Sequence, residues 1–210
     1  MKVPDSLQTF GGRVFWDCYK LVPSYIDVNA DTEVIAHLRY HVIVHGGNDI
    51  SYEEAYSDAR KERIKQVTKV VFLLNITKVG HFTCYYASIL VAVDIPEGIT
   101  SIGFRSFFAC SSLKEIKFPK SLTSIAHESF SFCSSLEEVD LLHTHVEELG
   151  AGAFVGCTSL REMKVPDSLQ TFGGHVFFKC SKLVPSNIDV SNNKYDATSA
   201  VLAHLRSLQS

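Results

Sequence analysis

The hydrophobic positions of the chain recur with a period much longer than that of one helix or one strand. A cysteine returns in steps of 23, 24 and 23 residues, with a phenylalanine three residues before it and a leucine three residues after it. Regular spacing over 20–50 residues is the sequence signature of a solenoid, in which each unit buries its apolar side against the next. The recurring residues are Phe107, Cys110, Leu113, Phe130, Cys133, Leu136, Phe154, Cys157, Leu160, Phe177, Cys180 and Leu183.

Within one unit, the pattern predicts two short strands and a turn. In 113–118, Ile116 and Phe118 alternate with Glu115 and Lys117, which predicts a strand with an apolar inner side and a charged outer side. The stretch 122–125 predicts a second extended segment, and 127–133 a helical turn that returns its Phe and Cys to the interior. A single unit buries too few apolar side chains to offset its ordering entropy, so the units must stack.

Two further units share this frame, and one of them departs from the pattern. The unit at 72–95 has Cys84 in the Phe position and Ala87 in the Cys position. At the N-terminus, residues 2–28 align without gaps on residues 164–190, and 22 of the 27 positions are identical. The first unit is therefore a duplicate of the last one.

These observations predict an α/β solenoid of stacked short parallel strands with short helical turns and a C-terminal capping helix. Residues 1–39 would form a single repeat with a cap-like helix, and 40–66 a linker with a short charged helix opening at Ser51. Residues 67–210 would form a five-repeat array that ends in an amphipathic capping helix at 196–208.

The repeats resemble the BspA-type leucine-rich repeat family. The resemblance is carried by units such as IPEGITSIGFRSFFACSSLKEIKFP at 95–119, and six units share one frame over about two thirds of the chain. Leu142 departs from it, because the other units have a proline there. The resemblance implies a non-enzymatic solenoid that binds other proteins, and bacterial relatives include surface adhesins.

Composition excludes some partners. The 210 residues carry a net charge of −3 with a pI near 6.3, which gives no basic field for nucleic acid or an anionic membrane surface. No apolar stretch approaches the roughly 20 residues of a bilayer span, so no membrane insertion is predicted. Residues 1–8 lack the features of a secretory signal. Together with a cysteine ladder that indicates free thiols, this favours a cytoplasmic location.

No constellation of residues supports catalysis. The pairs His143 with His145 and His41 with His45 lack a third ligand at a suitable spacing, so no metal site is predicted. The Gly-Gly pairs are not followed by a phosphate-binding motif, and no cofactor is predicted. We therefore expect neither catalytic nor cofactor-binding residues.

The outward strand positions form columns of charge that could be functional. Two columns alternate in sign from unit to unit, which favours stacking. One consists of Lys114, Glu137 and Arg161, and the other of Asp94, Lys117, Asp140, Lys164 and Asp189. The neighbouring column carries three glutamates, and like charges side by side cost stability, so it is the best candidate for a ligand-facing surface. Solvated glutamates on an exposed strand are the alternative interpretation. The predicted binding surface comprises Glu115, Lys117, Glu138, Asp140, Glu162 and Lys164.

The functional hypothesis is a protein–protein interaction scaffold that presents the strand face of the array to a protein or peptide. One alternative is a secreted or cell-surface adhesin, which requires an export signal. Another is a recombination product of a repeat family without a dedicated partner, which the duplicated N-terminal unit suggests.

Overall fold

The computed structural model describes residues 41–44, 56–57, 62, 64–72 and 76–189, and the structural statements below concern these residues. The predicted N-terminal repeat at 1–39 and the predicted capping helix at 196–208 lie outside them. The part of the array with the clearest repeats is described without a break.

Short parallel strands, numbered in chain order, form two rows. The first row consists of β1 (His41–Val44), β2 (Lys69–Phe72), β4 (Ala92–Asp94), β6 (Glu115–Lys117), β8 (Glu138–Asp140), β10 (Glu162–Lys164) and β12 (Ile188–Asp189). The second row consists of β3 (Lys78–Val79), β5 (Ser101–Ile102), β7 (Ser124–Ile125), β9 (Glu148–Leu149) and β11 (Thr171–Phe172). We call the outer side of the first row the strand face.

Strands that are neighbours in a row come from successive repeats. The second row is one parallel sheet in the order β11-β9-β7-β5-β3. The first row is hydrogen-bonded in three groups, β1-β2, β4-β6 and β8-β10-β12, with β2 next to β4 and β6 next to β8. Each repeat is therefore one coil of a solenoid, which confirms the predicted stack of short parallel strands.

The predicted helical turns are wrong. In the segment 127–133, Glu128 and Phe132 have left-handed backbone, with φ of 52° and 61°, which a right-handed helix does not allow. The N–H of Phe130 donates to the carbonyl of Ala153 in the next coil at 2.8 Å, where a helix would use a carbonyl of its own turn. Residues 76–189 contain no α-helix, and their one helical element is the 3-10 turn Pro185–Asn187. We call the outer side of these turns the turn face.

Four phenylalanine rings form a column through the interior. The centroid distances are 5.2 Å from Phe107 to Phe130, 5.4 Å from Phe130 to Phe154 and 6.1 Å from Phe154 to Phe177. The rings are nearly parallel and almost completely buried. This offset stacking adds to the burial of apolar area and links these four coils to one another.

A second interior column is made of cysteines, as the period predicts. The thiols of Cys110, Cys133, Cys157 and Cys180 each donate to a carbonyl of the preceding coil at 3.0–3.2 Å. Burial raises the pKa of Cys110, Cys133 and Cys157, which keeps these thiols neutral. The five cysteines in the described part of the chain, Cys84, Cys110, Cys133, Cys157 and Cys180, are free and buried.

The predicted linker contains a strand. β1 lies at His41–Val44 within it and pairs in parallel with β2. Part of the linker therefore extends the first row of strands. Glu62 and Ile64 have helical backbone, as expected for the charged helix, and the beginning of that predicted helix lies outside the described residues.

The close approach of successive coils predicts different effects of alanine substitution at two glycines. A Cβ at Gly150 would lie 2.5 Å from backbone atoms of Ala126 and His127, whereas a Cβ at Gly174 would meet nothing within 4 Å. We expect Gly150→Ala to lower the free energy of unfolding by about 1–3 kcal/mol and Gly174→Ala to change it little. Urea denaturation of both variants measures this. Equal effects of the two substitutions would contradict the tight coil spacing.

Candidate interaction surfaces

The strand face carries all six predicted binding residues. In β6, β8 and β10, the central residue points into the core and the residues on either side point outward. The parallel register pairs Glu138 with Glu162 and Asp140 with Lys164. Glu115 and Lys117 lie on β6, next to β8. The structure therefore brings the six residues together on one surface.

Lys164 offsets the repulsion within the glutamate column. Its Nζ lies 2.5 Å from Glu138 Oε1, 3.3 Å from Asp140 Oδ2 and 3.6 Å from Glu162 Oε1. The hydrogen bond that Lys164 donates to Glu138 is the main cause that raises the pKa of Lys164. Two of the three glutamates thus share one lysine, so repulsion within the glutamate column destabilises the stack less than the sequence suggests.

The remaining ion pairs divide the strand face into two parts. Arg161 and Glu137 stand just before β10 and β8 and form an ion pair at 2.7 Å, which links successive coils as the alternating charges predict. On β6, the ion pair of Lys117 within the described part of the chain is with Glu115 of its own strand, at 3.7 Å. Within 76–189, no ion pair connects β6 with β8. The charges of β6 are therefore more accessible to a partner than those of β8 and β10, and both side chains are about two thirds exposed.

The break between β6 and β8 coincides with a larger residue after the strand. Ile95 and Leu141 stand just after their strands, are buried, and donate to a carbonyl of the next coil at 3.0 Å. Phe118 occupies the same position after β6, is only half-buried, and packs edge-on against Phe130 at 5.8 Å. We attribute the missing strand pairing to the larger ring.

The turn face carries an aromatic cluster that the sequence analysis did not identify. Phe82 and Tyr85 are buried there, and Tyr56, Phe104 and Phe108 pack against them. The available signal was an excess of aromatic residues outside the Phe-x-x-Cys-x-x-Leu positions. The repeat pattern alone gave these positions no role.

Tyr56 is held on this cluster by ring contacts and hydrogen bonds. Its ring lies 5.1 Å from that of Tyr85, and its oxygen accepts from the Tyr85 hydroxyl at 2.7 Å and from Arg105 Nη1 at 2.9 Å. Arg105 also binds Glu128 at 2.7 Å and places its guanidinium over the rings of Phe104 and Phe108. Burial and the Tyr56 hydroxyl raise the pKa of Tyr85. A residue from outside the repeats is thereby fixed to the turn face.

In the described part of the chain, His143 and His145 belong to no group of three possible metal ligands. His145 Nδ1 lies 2.6 Å from the carbonyl of Lys120, and His143 is exposed. His45 lies outside the described residues. Among those described, no group of three His, Cys, Asp or Glu side chains could hold a metal ion. No helix there is long and apolar enough to cross a membrane.

The parallel rows, the 23-residue period and the stacked interior columns define a repeat solenoid of the leucine-rich type. The family model of the BspA type leucine rich repeat region matches residues 65–203 in 6 copies. The chain therefore belongs to the BspA-type leucine-rich repeat family. No curated protein matches it.

Solved structures of other repeat proteins are similar to this chain. A leucine-rich repeat protein from Eubacterium ventriosum is 15% identical, with a TM-score of 0.55 over 73% of this chain and 40% of that protein. One from Bacteroides ovatus is 22% identical, with a TM-score of 0.40 over 69% and 47%. The pneumococcal vaccine antigen PcpA is 22% identical, with a TM-score of 0.45 over 51% and 27%. The chain spans less than half of each of these proteins, and the first likeness supports the solenoid fold alone.

The position of Lys164 predicts salt-dependent stability. We expect Lys164→Gln to lower the Tm at low ionic strength, because three carboxylates lose their shared cation. Most of the difference should vanish in about 1 M salt, where the Debye length is about 3 Å. Lys117→Gln is the matched control, since it removes one long contact within a single strand. A Tm loss that is independent of salt would argue against this electrostatic role.

The contacts of Tyr56 predict a loss of stability when its hydroxyl group is removed. Tyr56→Phe keeps the ring but removes the acceptor of Tyr85 and Arg105, and we expect the free energy of unfolding to fall by about 1–2 kcal/mol. Tyr86→Phe, which removes the hydroxyl of an exposed tyrosine, should change it by less than about 0.5 kcal/mol. Urea denaturation compares the two. A Tyr56→Phe variant as stable as the parent chain would show that the hydroxyl contributes nothing.

Proposed function

We propose that this chain is a non-enzymatic protein-interaction scaffold that binds a protein or peptide through its strand face. The family supports a repeat scaffold. The observation that carries the choice of face is the row β6, β8 and β10, in which alternate side chains from successive coils project to the same side. Such a row offers a partner many weak contacts on a rigid base.

The charges of this face favour a partner with basic side chains. Glu115, Glu138 and Glu162 form one acidic column, and Lys164 is half-buried between the carboxylates of β8 and β10. A partner's lysine or arginine can approach Glu115 without competition from a neighbouring strand, because the ion pair of Glu115 lies within β6. We therefore expect first contact at β6 and an association rate that falls with salt.

The test compares two triple variants of the full chain that lose the same number of negative charges. Glu115, Glu138 and Glu162 are replaced with Gln in the first variant. In the control, Glu147→Gln, Glu148→Gln and Asp167→Asn change exposed residues in or near the second row of strands. A partner is identified by capture with the unmodified chain and mass spectrometry, and then purified.

The affinity of the purified partner decides the proposal. We expect the first variant to bind about tenfold or more weakly and the control to bind within about twofold of the unmodified chain. A partner that binds both variants equally well, or loses affinity only for the control, would place its binding site elsewhere on the solenoid.

A further inference from the structure

We propose that Tyr56 and Tyr85 form an oxidative cross-linking site, at which a haem peroxidase and hydrogen peroxide join the two rings by a carbon–carbon bond. Tyr56 precedes the repeats, and Tyr85 lies in the turn between β3 and β4. The bond fixes the segment around Tyr56 covalently to the turn face. This site is separate from the strand face and does not depend on the function proposed for it.

The two tyrosine rings converge at their hydroxyl ends. Their centroids are 5.1 Å apart, whereas the Tyr85 hydroxyl donates to the Tyr56 oxygen at 2.7 Å. Because the oxygens lie closer together than the ring centres, a carbon ortho to each oxygen is brought close to the other ring. These ortho carbons carry much of the unpaired spin of a tyrosyl radical and are the atoms that couple to form dityrosine. The pair is therefore arranged for coupling before any oxidation.

Neighbouring side chains hold both rings in this arrangement. Phe82 meets both tyrosines edge-on, with centroids 6.3 Å from Tyr56 and 5.4 Å from Tyr85. Arg105 Nη1 donates to the Tyr56 oxygen at 2.9 Å, and Phe108 stacks on Tyr85 at 5.2 Å. Two reacting groups that are already fixed at contact distance couple faster than groups that must meet by diffusion. Coupling within the pair is therefore favoured over coupling between two chains.

The pair is open to solvent on one side, which gives electrons and protons a route out. Tyr85 is buried, whereas Tyr56 is half-buried. The ring of Tyr86, which is 42% exposed, lies 4.7 Å from that of Tyr85. An oxidant can therefore remove an electron from the solvent side, and the Tyr56 hydroxyl releases its proton to water. The hydrogen bond then lets Tyr85 pass its hydrogen atom to the Tyr56 radical, which leaves the buried ring oxidised.

The reaction balances with hydrogen peroxide as the oxidant. The peroxidase removes one electron from each tyrosine, and each phenol releases its hydroxyl proton. The two radicals combine at ortho carbons, and the hydrogens on these carbons move to the oxygens, which restores both phenols. In sum, two tyrosines and one hydrogen peroxide give one dityrosine and two water molecules.

The test oxidises the full chain at low concentration with a haem peroxidase and hydrogen peroxide. Trypsin releases Tyr56 within residues 40–60 and Tyr85 within residues 79–105, and tandem mass spectrometry locates the link within the joined peptides. We expect a monomeric product that has lost two hydrogen atoms, shows the blue fluorescence of dityrosine and carries its link between Tyr56 and Tyr85.

Three variants locate the reacting phenols. Tyr56→Phe and Tyr85→Phe each keep a ring at the site but remove one of the two phenols, so both should lose the link while a Tm measurement shows that they are folded. Tyr52→Phe is the matched control, because it removes a phenol from the same tryptic peptide as Tyr56. It should leave the yield of the link unchanged.

The cross-linked chain should also be more stable to heat. The bond joins residues 29 positions apart and so restricts the unfolded chain, as a disulfide does. We expect the Tm of the purified cross-linked monomer to exceed that of the untreated chain by roughly 5 °C or more.

Three results would overturn the proposal. The first is oxidation that joins Tyr56 to Tyr85 no more often than other pairs among the eight tyrosines. The second is coupling mainly between chains or through Tyr86, which would show that exposure, not the geometry of the pair, decides the site. The third is a cross-linked monomer with an unchanged Tm, which would show that the bond does not fasten the segment to the turn face.

Discussion

The spacing between successive coils is the constraint on which the rest of this structure depends. Hydrogen bonds cross from coil to coil in both rows of strands and again through the turns, as from Phe107 N–H to the carbonyl of Ser129 at 2.8 Å. This spacing brings the phenylalanine rings into stacking distance and leaves no room for a side chain at Gly150. Whether a side chain fits at a given position of one coil therefore depends on the residues one period away.

The same constraint determines the electrostatics of the strand face. Because neighbouring strands are hydrogen-bonded, outward charges one period apart become direct neighbours, and their signs decide between attraction and repulsion. Arg161 and Glu137 show attraction. Glu138 and Glu162 would repel each other, and Lys164 compensates for both. Between β6 and β8 this coupling is interrupted, and among the described residues Glu115 and Lys117 form an ion pair only with each other.

The interior could be predicted from the sequence because a fixed period leaves one arrangement for Phe130 and Cys133, stacked on the same residues of the adjacent coils. The sequence could not distinguish a helical turn from a turn with left-handed residues, because a Phe and a Cys three residues apart reach the interior from either one. Glu128 and Phe132 give no glycine signal for their positive φ. The strand charges could be placed, but the role of Lys164 depends on side-chain geometry. The contact of Tyr56 with Arg105, 49 residues away, is set by tertiary packing.

The turns explain how one repeat can support two different surfaces. Each turn has two left-handed positions, and the coil with Gly152 and Gly156 satisfies both with glycine. The other coils place Arg105, Glu128, Phe132 or similar residues there, and this choice costs backbone strain of order 1 kcal/mol or more at each position. The stacked interior provides enough stability to tolerate that strain. Selection on the turn face can then act on exposed side chains while the strand face keeps its charges, because the two surfaces share only the interior columns.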